Sequence, residues 1–428
     1  MLPPILEIYV LWHPRDEKGR EIAREFVEHF RGNAYTGLLS GAVEVFIRSE
    51  GWRGKDDAPR SIPFPGTSMP SGIEPAQFVA VVPLMGMEMA SAMASDSAPW
   101  RRYMEEIVRL HEKTRGQVGI FPYYLDAPGA IDHTALEDLL RKHQRIAGSP
   151  PGLGETETML RCRDLAQGIT QHFSQGADRR LTVFISHARQ HHEGRGSNTE
   201  LISLIREIIA NTRLRHFFDA NDLQPGEDWD RTLREQAATG ALLAVRTDSY
   251  SGRKWCQREV LTAKRAGMPV VMMDALDRGE EKGSFLMDHV PRIPVRKTES
   301  GWNRGNIYRA LGLLVDESLK RMLWRRQREL SHAEFGADIA WWAPHAPEPS
   351  TLVQWLEDAW KDGILPPKGP ELRILHPEPP LAEDEKRVLS QMASLCGKAF
   401  KLDIMTPRLL AARGGRCARQ HCVQQHPV

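Results

Sequence analysis

The sequence is short of several features that would narrow its function at once. It has five cysteines in 428 residues, Cys162, Cys256, Cys396, Cys417 and Cys422, few, scattered and odd in number. Such a set does not read as a disulfide framework, and a reducing, cytoplasmic setting is expected. Neither charge is in excess: 57 Lys and Arg face 56 Asp and Glu, for a formal net charge of +1. No global basic field points to nucleic acid or to an anionic membrane surface. A membrane span needs about 20 consecutive apolar residues. The most apolar stretch, residues 78–94, is broken by Pro83 and Glu88 and reads as a buried strand leading into a loop or helix. The opening MLPPILEIYVLWHPRDEKGR has no basic leader and no small-residue cleavage site, so no signal peptide is expected.

What is present is an alternation of apolar strands and amphipathic helices. In a first block, 1–150, strands are expected at 8–11, 43–48, 78–82 and 117–124, with helices at 21–30 and 100–113. A connecting segment, 151–178, holds a helix over 156–175 that Gly176 can cap. The second block, 179–326, alternates more cleanly, with strands at 182–185, 215–218, 241–245, 269–273 and 293–296. Its helices are expected at 198–211, 229–239, 255–266 and 303–323. Near-continuous apolar strands separated by helices predict an α/β fold, a parallel sheet covered on both faces. Residues 327–370 read as a Pro- and Trp-rich linker with one helix, capped by Ser350 and carrying the stripe Leu352, Trp355, Leu356, Ala359 and Trp360. Residues 371–428 read as a partial segment with a strand at 372–375, a helix at 382–397 and a disordered tail.

Blocks one and two can be laid on each other. Ile8 to His13 aligns with Val183 to His187, Trp100 with Trp255, and Glu106 with Glu259. The alignment needs gaps, so true duplication and two chains of the same βα order both remain open.

Three segments carry the chemistry: LTVFISHA from Leu181, FFDANDLQPGEDW from Phe217, and SGRKWCQRE from Ser251. In this order and spacing they resemble the TIR (Toll/interleukin-1 receptor) family, in particular its bacterial NAD-consuming members. The resemblance covers roughly a third of the chain. It implies a flavodoxin-like TIR domain, preceded by a second α/β domain that is TIR-like and non-catalytic, since Glu106 sits near Arg101 and Arg102 without a Trp-Cys pair. It also implies cleavage of the nicotinamide–ribose bond of NAD, in bacterial anti-phage defence or signalling, with NAD as substrate and no resident cofactor. Glu259 is then the catalytic carboxylate, stabilising the oxocarbenium-like charge of glycoside cleavage. Ser186, His187, Phe218, Asp219, Asp222, Trp229, Trp255 and Cys256 would line the substrate site. Self-association through TIR domains, and contact with other TIR proteins, are the implied partnerships. Residues 371–381 also resemble the entry to a nucleotide-sensing SLOG domain, with a C-terminus too short to complete one.

Each choice has a plainer alternative. Glu259 could be a solvent-facing helix residue, and Trp255 a core tryptophan. Asp219, Asp222 and Asp228 could be loop and cap residues around the turn at Pro225-Gly226. Cys256 reads as packing rather than a nucleophile. His187 and His191 have chelating spacing, but no third ligand is spaced to complete a metal site, and none is expected. A non-catalytic TIR scaffold is the competing function. A receiver-type domain is disfavoured, because Ser186 and His187 stand where it needs acidic residues.

Overall fold

Strands that are apolar throughout must be covered on both faces, and the first unit shows how this chain does it. β1 (Leu6–Leu11) is buried at every position. α1 (Glu17–Arg31) follows, with Ile22, Ala23, Phe26 and Phe30 buried along one stripe, then β2 (Val43–Arg48). β3 (Phe78–Met85) is buried throughout and leads into α2 (Met87–Ala92). α3 (Pro99–Lys113) starts on a proline, whose fixed φ suits a first helical position, and buries Trp100, Met104 and Ile107. β4 (Val118–Ile120), β5 (Tyr123–Tyr124) and α4 (Ala135–Leu140) complete the unit. Its strands pair in parallel in the order β2-β1-β3-β4, with β5 also beside β3.

The computed structural model describes residues 5–31, 35, 43–67, 75–114, 116–127, 129–146, 155–174, 181–188, 197–212, 214, 216–219, 231, 240–280, 282–335, 339–363, 371–395 and 401–413. Among these, no helix is long and apolar enough to cross a membrane.

α5 (Glu155–Phe173) leads to the second unit: β6 (Thr182–His187), α6 (Ser197–Ala210), β7 (His216–Asp219), β8 (Gly240–Arg246), α7 (Lys254–Arg265), β9 (Val270–Asp274) and β10 (Arg292–Pro294). A small hairpin, β11 (Lys297–Thr298) and β12 (Gly301–Trp302), precedes the long α8 (Arg304–Phe335). The sheet is parallel in the order β7-β6-β8-β9-β10. The second strand thus lies outside the first and the third inside it, as in the first unit. The α/β fold expected from the alternation is the fold observed. Several boundaries differ, and the single strand expected at 117–124 is two, β4 and β5. β6 runs on to His187, so Ser186 and His187 end the strand rather than follow it. α8 continues past residue 323 to Phe335, since Met322, Leu323 and Trp324 still have core to face. The helix expected at 229–239 and the Gly176 cap lie outside the described residues.

The stretch read as a linker also holds a strand. β13 (Trp341–Trp342), α9 (Pro349–Lys361), β14 (Leu372–Leu375), α10 (Glu383–Leu395), β15 (Leu402–Met405) and α11 (Pro407–Ala412) build a small parallel sheet ordered β13-β14-β15. Trp341 stacks on Trp355 at 5.0 Å, whereas Trp360 is exposed. The cap of α9 is Glu348, not Ser350, because Pro349 takes the first helical position.

One apolar cluster runs through both large sheets. Ile8 and Val10 of β1, Leu165 and Ile169 of α5, Val183 and Ile185 of β6, and Leu311 and Leu314 of α8 all belong to it. Polar contacts set its register. Arg161 of α5 pairs with Glu25 of α1 at 2.7 Å. Asp316 of α8 accepts from the Tyr35 hydroxyl at 2.9 Å and meets His29 Nε2 at 3.0 Å. Tyr35 and Asp316 are both buried. Asp316→Ala should therefore destabilise the chain by about 2–3 kcal/mol, the cost of an orphaned buried donor. Asp316→Asn, which keeps an acceptor, should lose less; urea unfolding of both variants checks this.

Burial holds His143, His345 and His376 down at about 4, from 6.5, so the folded chain keeps them neutral. Their contribution is complete above pH 6.5 and is lost as pH falls toward 4, because the unfolded state takes up the protons first. Asp16 works in the opposite sense. Burial, with Asp126 and Glu88 nearby, raises it from 3.8 to about 6, so stability is lost as pH rises through that value. Three groups outweigh one, and the melting temperature should fall steadily between pH 6.5 and 4. Asp16→Asn should add on the order of 1 kcal/mol at pH 7, after allowance for its partial exposure, and almost nothing at pH 4.

Candidate functional site

In open parallel sheets, ligands bind outside the carboxyl ends of the strands, where the strand order reverses. In the second unit that point lies between β6 and β8, which pair Ser186 with Ala244 and His187 with Val245. β6 alternates faces, and the residue that reaches this crevice is Ser186, 1% exposed.

Ser186 is the centre of a buried polar cluster. Its Oγ donates to the Glu259 carboxylate through Oε2 and lies 2.6 Å from the Tyr250 hydroxyl. The serine proton goes to the carboxylate, so Tyr250 donates to Ser186. The result is a donor chain from Tyr250 through Ser186 to Glu259. Burial pushes the Tyr250 hydroxyl well above its ordinary range, which keeps that proton in place. Glu259 is 2% exposed and Tyr250 fully buried. The plain alternative for Glu259, a solvated helix glutamate, does not hold.

α7 brings Glu259 there because Cys256, Glu259, Val260 and Ala263 form its inward face. Cys256 lies against the same serine. Burial, and then the nearby Glu259 charge, push its thiol up to about 12. At neutral pH it is a protonated packing group, not a nucleophile. Trp255 takes a different place. It is 45% exposed, with the Arg258 guanidinium 5.9 Å from its ring centre, and stands at the rim. His187 is half-buried at the end of β6.

The rim is tied down by charge. Arg246, at the end of β8, pairs with Glu280 at 2.6 Å and with Asp274 of β9 at 3.1 Å. Glu280 also accepts from the Ser251 amide and hydroxyl, and Asp248 accepts from the amides of Asp277, Arg278 and Gly279. The loops after β8 and β9 are thereby locked beside the crevice.

Of the residues singled out from the sequence, Ser186, Cys256 and Glu259 come together and Trp255 borders them. Phe218 and Asp219 end the neighbouring β7, whose strand pairing puts Phe218 beside Phe184 and Asp219 beside Ile185; their side chains lie outside the description. Asp222 and Trp229 lie outside the described residues. Sequence reasoning missed Tyr250, Arg246 and Glu280. An aromatic just after the all-apolar run of β8 was the available signal for Tyr250, but only the fold turns it toward Ser186. Among the described residues no group of three His, Cys, Asp or Glu is placed to hold a metal ion. A shallow cleft lies at the opposite, amino edge of this sheet, lined by Gln167, Gln171, Ser318 and Arg325 among others. Among the described residues it has no converging carboxylate, so the carboxyl edge is the better candidate for chemistry.

A carboxylate held in a dry crevice by a hydroxyl can stabilise positive charge far better than one in water. No protein-family model matches the chain, and no curated protein matches it with significant similarity. The assignment of function therefore rests on this geometry and on the motifs.

Ser186→Ala should destabilise the chain by about 1–3 kcal/mol, because it takes a donor from the buried Glu259 carboxylate and an acceptor from the Tyr250 hydroxyl. Tyr250→Phe should cost less, since the serine can still donate; thermal melts of the two variants decide the order.

Proposed function

We propose that the second unit, residues 179–326, is a TIR-type NAD nucleosidase. The observation that carries this reading is the Ser186–Glu259 contact at the strand-order reversal. Two residues far apart in sequence, each chosen from a motif, meet in the crevice where the fold class binds ligands.

The chemistry follows from the substrate's charge. The nicotinamide ring nitrogen of NAD is cationic, so the base leaves as a neutral molecule and needs no proton. Positive charge then spreads over C1′ and the ring oxygen of the ribose. Glu259 stabilises that charge, and Ser186 and Tyr250 hold the carboxylate in place. Water adds at C1′ and releases a proton, giving nicotinamide and ADP-ribose. Trp255 at the rim offers an aromatic face to the nicotinamide.

The burial of Glu259 favours a second reading. At 2% exposure the carboxylate meets no solvent in this conformation. A scaffold that recruits other TIR domains without catalysis would look the same. If the chain is an enzyme, the cover over Glu259 must move before substrate enters, and turnover should depend on assembly.

Purified chain incubated with NAD should release nicotinamide, faster at high protein concentration. Glu259→Gln, which preserves shape and removes the charge, should slow release by about 100-fold. Equal rates for wild type and variant would sink the mechanism; silence of both under crowding would leave the scaffold.

A further inference from the structure

α7 carries a second buried charge. Lys264, in its last turn, is 4% exposed. Its Nζ donates to Glu348 Oε2 at 2.8 Å and to the Asp288 carbonyl at 2.6 Å. Glu348 is itself buried and caps α9. The backbone of the same turn is held too, since His345 Nε2 lies 2.9 Å from the Lys264 carbonyl. Gly267, which ends the helix at φ +69, lies so close to Pro344 that an added Cβ would fall 2.8 Å from its ring. The strap is anchored at its other end, where the Trp324 indole donates to the Ala343 carbonyl at 2.9 Å. Residues 343–348 thus grip the carboxyl end of α7, and they belong to the segment that opens the small third sheet.

A buried ammonium without a counter-charge is strongly unfavourable, so removing one partner of this pair does more than delete a contact. The helix must shift or fray to rehydrate Lys264. Glu259 lies on the same helix, and its contact with Ser186 depends on the helix staying in register.

We propose that the third unit, residues 339–413, positions Glu259 by clamping α7 through the Lys264–Glu348 pair. Lys264, Glu348 and His345 are positioning residues: they touch the helix end, not the crevice. A ligand or partner that shifts the third unit would alter the Ser186–Glu259 contact through this clamp. The consequence for turnover rests on the nucleosidase reading; the clamp itself does not.

Amide hydrogen exchange on the full chain separates the two. In Glu348→Gln, peptides covering 254–265 should exchange about tenfold faster, while peptides covering α1 stay within about twofold of wild type. The pair Lys264→Met with Glu348→Leu, which removes both charges and keeps apolar packing, should return exchange in α7 close to wild type. Nicotinamide release by Glu348→Gln should fall in kcat with little change in KM. Unchanged α7 exchange, or equal acceleration in α1, overturns the clamp. Faster α7 exchange with full kcat overturns the link to Glu259 while leaving the nucleosidase intact. If wild type releases no nicotinamide, that reading fails and exchange still decides the clamp. Should Glu348→Gln not fold, His345→Ala removes only the hydrogen bond to the helix end and is read the same way.

Discussion

Neither large sheet could bury its inner face alone, and the pairing of α5 with α8 is what solves this. α5 presents Leu165 and Ile169, and α8 presents Leu311 and Leu314, to one apolar cluster that both sheets share. The hydrophobic term is non-directional and would tolerate sliding. The direction comes from a few buried polar contacts, Arg161 on Glu25 and Tyr35 with His29 on Asp316, which have acceptable geometry in one register only. The crevice at the carboxyl edge inherits its precision from that frame, because β6 and β8 hold fixed positions against it.

The site uses the same physics with opposite purpose. In the core, polar groups are buried to specify packing. Around Ser186, three polar side chains and a thiol are buried where the strand order reverses, and one of them is a carboxylate. A chain of hydroxyl donors makes that carboxylate tolerable in a dry place. It also aims the carboxylate, since Ser186 can donate to only one of its oxygens. The exposed Trp255 and the tightly paired Arg246, Asp274 and Glu280 lie on the elements that carry the cluster. The third sheet grips the far end of the helix that carries Glu259. Two units therefore meet, directly or through α7, on one side chain.

Much of the second unit was legible in the sequence. Its strands are built around apolar runs and its helices carry a clear stripe, and both patterns are local. Glu259 and Ser186 were legible for a different reason: they belong to motifs whose order and spacing can be read along the chain. Where reading failed, the missing information was non-local. β13 is only two residues long, and Trp341 becomes a strand because Ile374 offers it a parallel partner. Ser350 looked like a cap until Pro349 claimed the first helical position and Glu348 the cap. α8 runs past its expected end because the groups its Trp324 faces, Trp342 and the Ala343 carbonyl, come from elsewhere in the chain.

By itself, then, the sequence determined most of the strands and helices in the two large units, that their sheets are parallel, and which serine and carboxylate on β6 and α7 to look for. Periodicity and motif spacing carry that much, since both depend on neighbours within a few residues. Only the tertiary structure decided that Glu259 is buried rather than solvated, that Tyr250 completes its donor chain, and that a third sheet holds its helix. Those facts depend on which surfaces meet, and burial is a property of the meeting, not of the residue.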